Sequence, residues 1–516
     1  MKMKKSNLIS VLSAFLVSVM FLASCTKSVE YVNVIPADAS VIASLDLKSL
    51  TQKSGVNDNE AAKQQLAEVL KSGLNADALQ YMDKVLKDPA ESGISTADKV
   101  YLFATEAAEN QGLVAKVNDM NKVKELFKLL ESEQISMPLE DTGVNGYQLT
   151  FLNEKDVVCF NENTLLILIG KNVFDTESTQ DMAKKLIAQT AEQSIASNDG
   201  FKQMSGKNAD VVVYTTMDVL PSDYAMQIKA AMPEGLTLKD IAYVVTLNFE
   251  KGKIVLDAES VKNEAVDKLN KQYEGLISKI GSEFLKYFPA SSLYYTGMNL
   301  NGEKLAKVLA ENEEFQKTLK GIEGNGVNVN NIISSINGDL AYGITSLSAQ
   351  GVPALTCYVQ VKNDEILKTV NNALQGGATK IDDNNYSVTI GGGANAYYGM
   401  KDGVFYFTLD EAASKNICKK VDNPMSDAKW ASTAKGSYVF MVANIKDALN
   451  QPMVNLMLSM GGQPAALARS VLSQFDYIEF YAPEMNKVTL DVVMTNQDEN
   501  ALKQLFALGE KLAGGK

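Results

Sequence analysis

The chain has 516 residues, with 62 acidic side chains against 49 basic ones and a formal charge of −13. An acidic surface with no basic cluster repels nucleic acid and anionic lipid, so nucleic-acid binding is excluded. There is no His and a single Arg, Arg469, which removes Ser-His-Asp and Cys-His catalysis and His-bound metal from consideration.

The first element is a leader: Lys2, Lys4 and Lys5 precede an uncharged apolar run from Leu8 to Ala23, too short for a lasting membrane helix and flanked as a secretory signal is. Leu22-Ala23-Ser24-Cys25 resembles the bacterial lipobox, so residues 1–24 are expected to be removed as a signal peptide. Cys25 is expected to carry the lipid, palmitate included, and residues 25–34 to form a tether. Each acyl methylene contributes about 0.8 kcal/mol of membrane affinity. In lipoproteins with that motif an Asp after the Cys favours the inner membrane, so with Thr26 there the resemblance implies the outer membrane, with the leaflet open. Loss of the three leader lysines takes the charge from −13 to −16. No later run reaches the ~18 apolar residues of a membrane span.

The body repeats itself. IPADASVIASLDLKSL (35–50) is echoed by FPASSLYYTGMNLNGEKL (288–305). Residues 99–130, read as strand, turn, strand and amphipathic helix, are answered by 339–374. Residues 146–170 and 385–409 each read as three short strands, and 241–273 is answered by 477–506. On the 120s helix Val123, Leu126, Phe127 and Leu130 follow i, i+3, i+4, i+7 spacing. A shorter motif runs from an apolar strand through Asp46, Asp218, Asn299 or Asn444 into a helical pattern, where Asp or Asn is expected as the N-cap. The expected fold is α+β, in two tandem homologous halves (35–278 and 279–516). Each half is mainly antiparallel sheet with helices packed on it, built from β-α-β-β-α-like units.

Cys159 and Cys357 lie in strand-like runs and Cys418 in a helix-like one. No disulfide framework is expected, and whether any two pair stays open. Gly391-Gly392-Gly393 lies between strands and lacks the Lys-Ser/Thr of a phosphate loop, so it reads as a hairpin. The acidic run 381–386 lacks the spacing of a calcium loop, and no metal or cofactor is expected. Paired tyrosines at 294–295, 397–398 and 477–481 read as core. Met453, Val454, Met457, Leu458 and Met460 crowd one apolar segment whose first-half counterpart, 222–235, is more polar. Met453, Met457 and Met460 are the candidate contact for a partner, since Met adapts to irregular surfaces.

Lipobox, duplicated body and the recurring Pro-Ala opening together resemble a family of uncharacterised Bacteroidota lipoproteins defined by a domain of unknown function. That resemblance implies an envelope location and no catalytic residues. The function expected is a non-enzymatic, lipid-anchored envelope protein with a binding or scaffolding role toward another protein. A surface glycan-binding or nutrient-capture lipoprotein is the alternative, and a hydrolase working with carboxylates alone is the third reading. Partner identity, membrane face and oligomeric state are left open.

Overall fold

Alternating apolar residues put one side of strands such as Val211–Thr216 and Val439–Asn444 against a core. The computed structural model describes residues 30–56, 76–105, 110–170, 176–232, 235–311, 316, 319, 328–348, 351–391 and 394–514. The leader and Cys25 lie outside the described residues. The chain forms two compact units, one of residues 1–225, 237–251 and 499–516, the other of residues 226–236 and 252–498.

In the first unit the strands are β1 (Ala39–Leu45), β2 (Val100–Thr105), β3 (Gln111–Lys116), β4 (Glu140–Asp141), β5 (Gln148–Leu152), β6 (Asp156–Phe160), β7 (Thr164–Leu168), β8 (Val211–Thr216) and β9 (Ala242–Glu250). All pair antiparallel, in the order β9-β8-β1-β2-β3-β7-β6-β5-β4. The helix Met120–Ser132 turns Val123, Leu126, Phe127 and Leu130 inward. Phe127 stacks on Phe160 of β6 with ring centroids 5.3 Å apart. Strands β6 and β7 are nearly wholly buried, as solid apolar runs require when both faces are covered. Residues 30–34, assigned above to the tether, make a 3-10 turn in which Tyr31, Val32 and Val34 are buried. The Tyr31 hydroxyl there donates to the Lys99 carbonyl at 2.8 Å. The closing helix Ala501–Gly514 also belongs here, packed on the helix Leu47–Ser54 and on β9.

The second unit contains β10 (Lys253–Ser260), β11 (Ile277–Ser278), β12 (Tyr294–Asn301), β13 (Ile336–Leu347), β14 (Pro353–Val361), β15 (Thr379–Lys380), β16 (Asn385–Thr389), β17 (Asn395–Lys401), β18 (Val404–Thr408), β19 (Val439–Asn444), β20 (Phe475–Glu484) and β21 (Lys487–Met494). Their antiparallel order is β10-β21-β20-β19-β12-β13-β14-β18-β17-β16-β15, with β11 on the end of β12. From β20 to β15 this path repeats, strand for strand, the path from β9 to β4. Its core is aromatic: Phe288 meets Tyr295 edge-on at 5.2 Å and Tyr358 at 5.6 Å. Tyr295, Tyr398 and Tyr477 are buried, and their fellows Tyr294, Tyr397 and Tyr481 are half-buried, so one ring of each expected core pair is fully enclosed.

The cap positions divide. Asp46 accepts from the Ser49 N–H at 2.8 Å and Asn444 from the Asp447 N–H at 3.1 Å, each opening a helix. Asn299 does not cap. Strand β12 runs two residues further than its sequence suggests, Asn301 takes the cap by accepting from Lys304 N–H at 3.1 Å, and Asn299 instead donates to buried Asp339 at 2.7 Å. Asp218 sits inside a 3-10 turn and accepts from the Thr216 hydroxyl, so it too is no N-cap.

Candidate functional site

Asp447 and Asp476 bracket a stretch whose only charged residue is Arg469. Pro452 at its first position starts one helix, Pro452–Met460, where a missing N–H costs nothing. Gly461 and Gly462 break it, Gly462 taking φ +63°, and a second helix runs Gly462–Leu472. Arg469 Nη1 donates to Asn455 Oδ1 at 2.5 Å, tying the two helices together. Gln451, just before the first helix, accepts from the Leu347 N–H at 3.1 Å and fixes the hairpin to β13.

Neither helix contains a buried residue. Met460 is 78% exposed, Met457 66% and Leu456 52%, with Leu467 and Leu472 also exposed. Of the three methionines named from the sequence, Met457 and Met460 share this open surface and Met453 is half-buried. Sequence reading stopped at residue 464 and so missed Leu467 and Leu472. The signal was there, since the uncharged run continues to Ala468. It also passed over Tyr224 and Met226, 62% and 63% exposed in the segment judged more polar.

A second constellation is buried. Glu479 on β20 stands directly opposite Asp491 on β21, and the two are only 6% and 1% exposed. Lys253 on β10 meets Asp491 Oδ2 at 2.7 Å, and the Tyr481 hydroxyl donates to the same oxygen at 3.4 Å. Among the described residues, Glu479 Oε2 and Asp491 Oδ1 have no hydrogen-bond partner. Burial first, and the neighbouring Asp491 charge second, push the Glu479 carboxyl up to about 7. Two residues along, Asp257 binds Thr489 at 2.5 Å and Lys487 at 3.2 Å. Closed to solvent, the pair can hold a proton but offers no cleft to a substrate.

A groove of about 800 Å³ in the same unit is lined by Asp267, Lys271, Glu274, Lys279, Tyr438 and Met485, with Lys279 Nζ 5.8 Å from the centre of the Tyr438 ring. In the acidic turn, both Asp382 oxygens are engaged by the Asn385 amide at 2.7 Å. The glycine run joins β16 to β17, with residues 392–393 outside the described part. Among the described residues Cys159, Cys357 and Cys418 are unpaired, and burial raises their thiols to about 12, 11 and 11.

The model of a family described as "Domain of unknown function (DUF4836)" matches residues 31–502. No curated protein matches the chain. Among solved structures, crystal form I of TP0453 is similar at 12% identity over 50% of this chain and 90% of that one, with a TM-score of 0.26. Crystal form III gives 12% identity, 49% and 90% coverage and a TM-score of 0.27.

Proposed function

We propose, for a chain that belongs to the family of the domain of unknown function DUF4836, a non-enzymatic role: a lipid-anchored envelope protein that binds another protein through the hairpin 452–472. One observation carries this reading. Two successive helices of nine and eleven residues have no buried residue, yet present five exposed Met and Leu side chains and no acid. Helices of that length are marginal alone, and large apolar side chains left in water forgo about 1.5–3 kcal/mol each. A covering surface resolves both. Its chemistry follows from the charge: on a body whose net charge is −16 once the leader is gone, this patch selects a partner by apolar shape, so the partner presents an uncharged groove or helix face.

The anchor fits the same role. Tyr31, which is buried, follows Cys25 by six positions, a reach of about 20 Å at full extension, so a lipid on Cys25 keeps the first unit beside the membrane. The matching strand paths support descent of the two halves from one duplicated unit.

The test places a photo-crosslinker at Met460 in cells that make the protein. The expected result is a cross-link to one protein, which when purified binds the chain at least tenfold more weakly after Met457→Ser and Met460→Ser, with unfolding unchanged. Cross-links to lipid alone, or to a second copy of the chain, overturn the reading. So does loss of folding in the double variant, because the side chains would then be core.

A further inference from the structure

We propose that Glu479 and Asp491 form a one-proton site that makes the β20–β21 region of the second unit sensitive to pH near neutrality. The geometry comes first. The two carboxylates are opposed across paired strands on the same face, each more than nine-tenths buried, and each keeps one oxygen without a hydrogen-bond partner among the described residues. The ammonium that reaches them, Lys253, and the Tyr481 hydroxyl both go to Asp491 Oδ2. Two carboxylates against one ammonium leave one negative charge in a site closed to water, which is costly. A single proton on Glu479 Oε2, donated to Asp491 Oδ1, removes that charge and satisfies both orphan oxygens with one hydrogen bond.

The surroundings leave this balance in place. Along the face β10 adds Asp257, already held by Lys487 and Thr489. Strand β20 adds Tyr477 and Tyr481, with Trp430 edge-on to Tyr477 at 4.9 Å. On β19 the residue opposite Glu479 is Val442. The helix Ala431–Gly436, packed on β19 and β20, carries only the exposed Lys435, and the helix Ile445–Leu449 carries Lys446 and Asp447, the latter held by Asn444 at 2.6 Å.

The sign follows from linkage. The folded chain holds this proton more tightly than the unfolded one, so its stabilising effect is full at acid pH. It is lost as pH rises from the ordinary Glu value of 4.5 through about 7. Above that, two anions face each other across β20 and β21, and those strands open more readily.

Urea unfolding and hydrogen exchange of the full chain at pH 6 and pH 8 test this. After correction for intrinsic exchange, opening of residues 477–493 is expected to increase about tenfold between the two. Glu479→Gln, whose amide donates to Asp491 at every pH, should abolish that increase and flatten the fall in urea midpoint. Equal pH responses in wild type and variant overturn the proposal. Should the variant fail to fold, wild-type exchange alone decides, and pH-independent opening of 477–493 overturns it.

Discussion

Asn299 and Asn301 are two positions apart on one strand, and only the second caps the start of a helix. Replacing Asn301 by Ala removes the acceptor for the Lys304 N–H and should cost about 1 kcal/mol, the usual worth of an N-cap. Replacing Asn299 by Ala takes away a donor to Asp339, a carboxylate only 3% exposed, and should cost about 1–3 kcal/mol. Urea midpoints of the two variants measure the difference, and the larger loss is expected at Asn299. At this scale the sequence is half legible. Asp46 and Asn444 cap as their position after a strand implies, because the strand ends where the apolar alternation ends. At Asn299 the alternation gives no stop, and pairing with β13 carries β12 to Asn301. Glu479 and Asp491 were not legible at all, since only the register of two strands brings residues twelve apart face to face.

Helix boundaries set the next scale. The helix Gly302–Ala310 crosses the helix Val329–Ser335 so closely that a Cβ on Gly302 would lie 1.9 Å from the Ile333 carbonyl oxygen and 2.7 Å from that of Ile336. Both obstacles are backbone and cannot rotate away. Gly302→Ala is therefore expected to cost about 1–3 kcal/mol, despite the higher helix propensity of Ala, with a lowered thermal midpoint as the readout. Elements of this size are the most legible part of the chain. Strands at 148–152, 156–160 and 164–168, and again at 385–389, 395–401 and 404–408, fall inside the two triplets expected from their turns. The Met453–Met460 segment is likewise helical, as its apolar spacing suggests. What sequence alone does not reveal is that the helix is left uncovered, because an apolar stripe looks the same whether the fold covers it or not.

For the whole molecule, the strand-like and helix-like runs anticipate the α+β class with antiparallel sheet, and the strand paths from β9 to β4 and from β20 to β15 run alike. Membership is another matter. Residues 499–516 complete the first unit, where Ala501 is fully buried and Gln504 nearly so. The Asn500 amide there donates to the Phe249 carbonyl at 2.9 Å. Order along the chain carries no trace of that placement. A chain truncated after Asp498 should therefore lose hydrogen-exchange protection in residues 39–54 and 242–250 by at least tenfold, while residues 336–361 keep theirs. Equal loss in both sets would mean that the closing helix supports the second unit as well.

The position of that helix also has a meaning in time. Ribosomes add about 5–20 residues per second. The helix Leu47–Ser54 therefore waits some 20 to 90 s for the segment that covers it, since about 450 residues are made in between. The unit begun first is finished last, and through that interval its open flank is what chaperones and proteases meet.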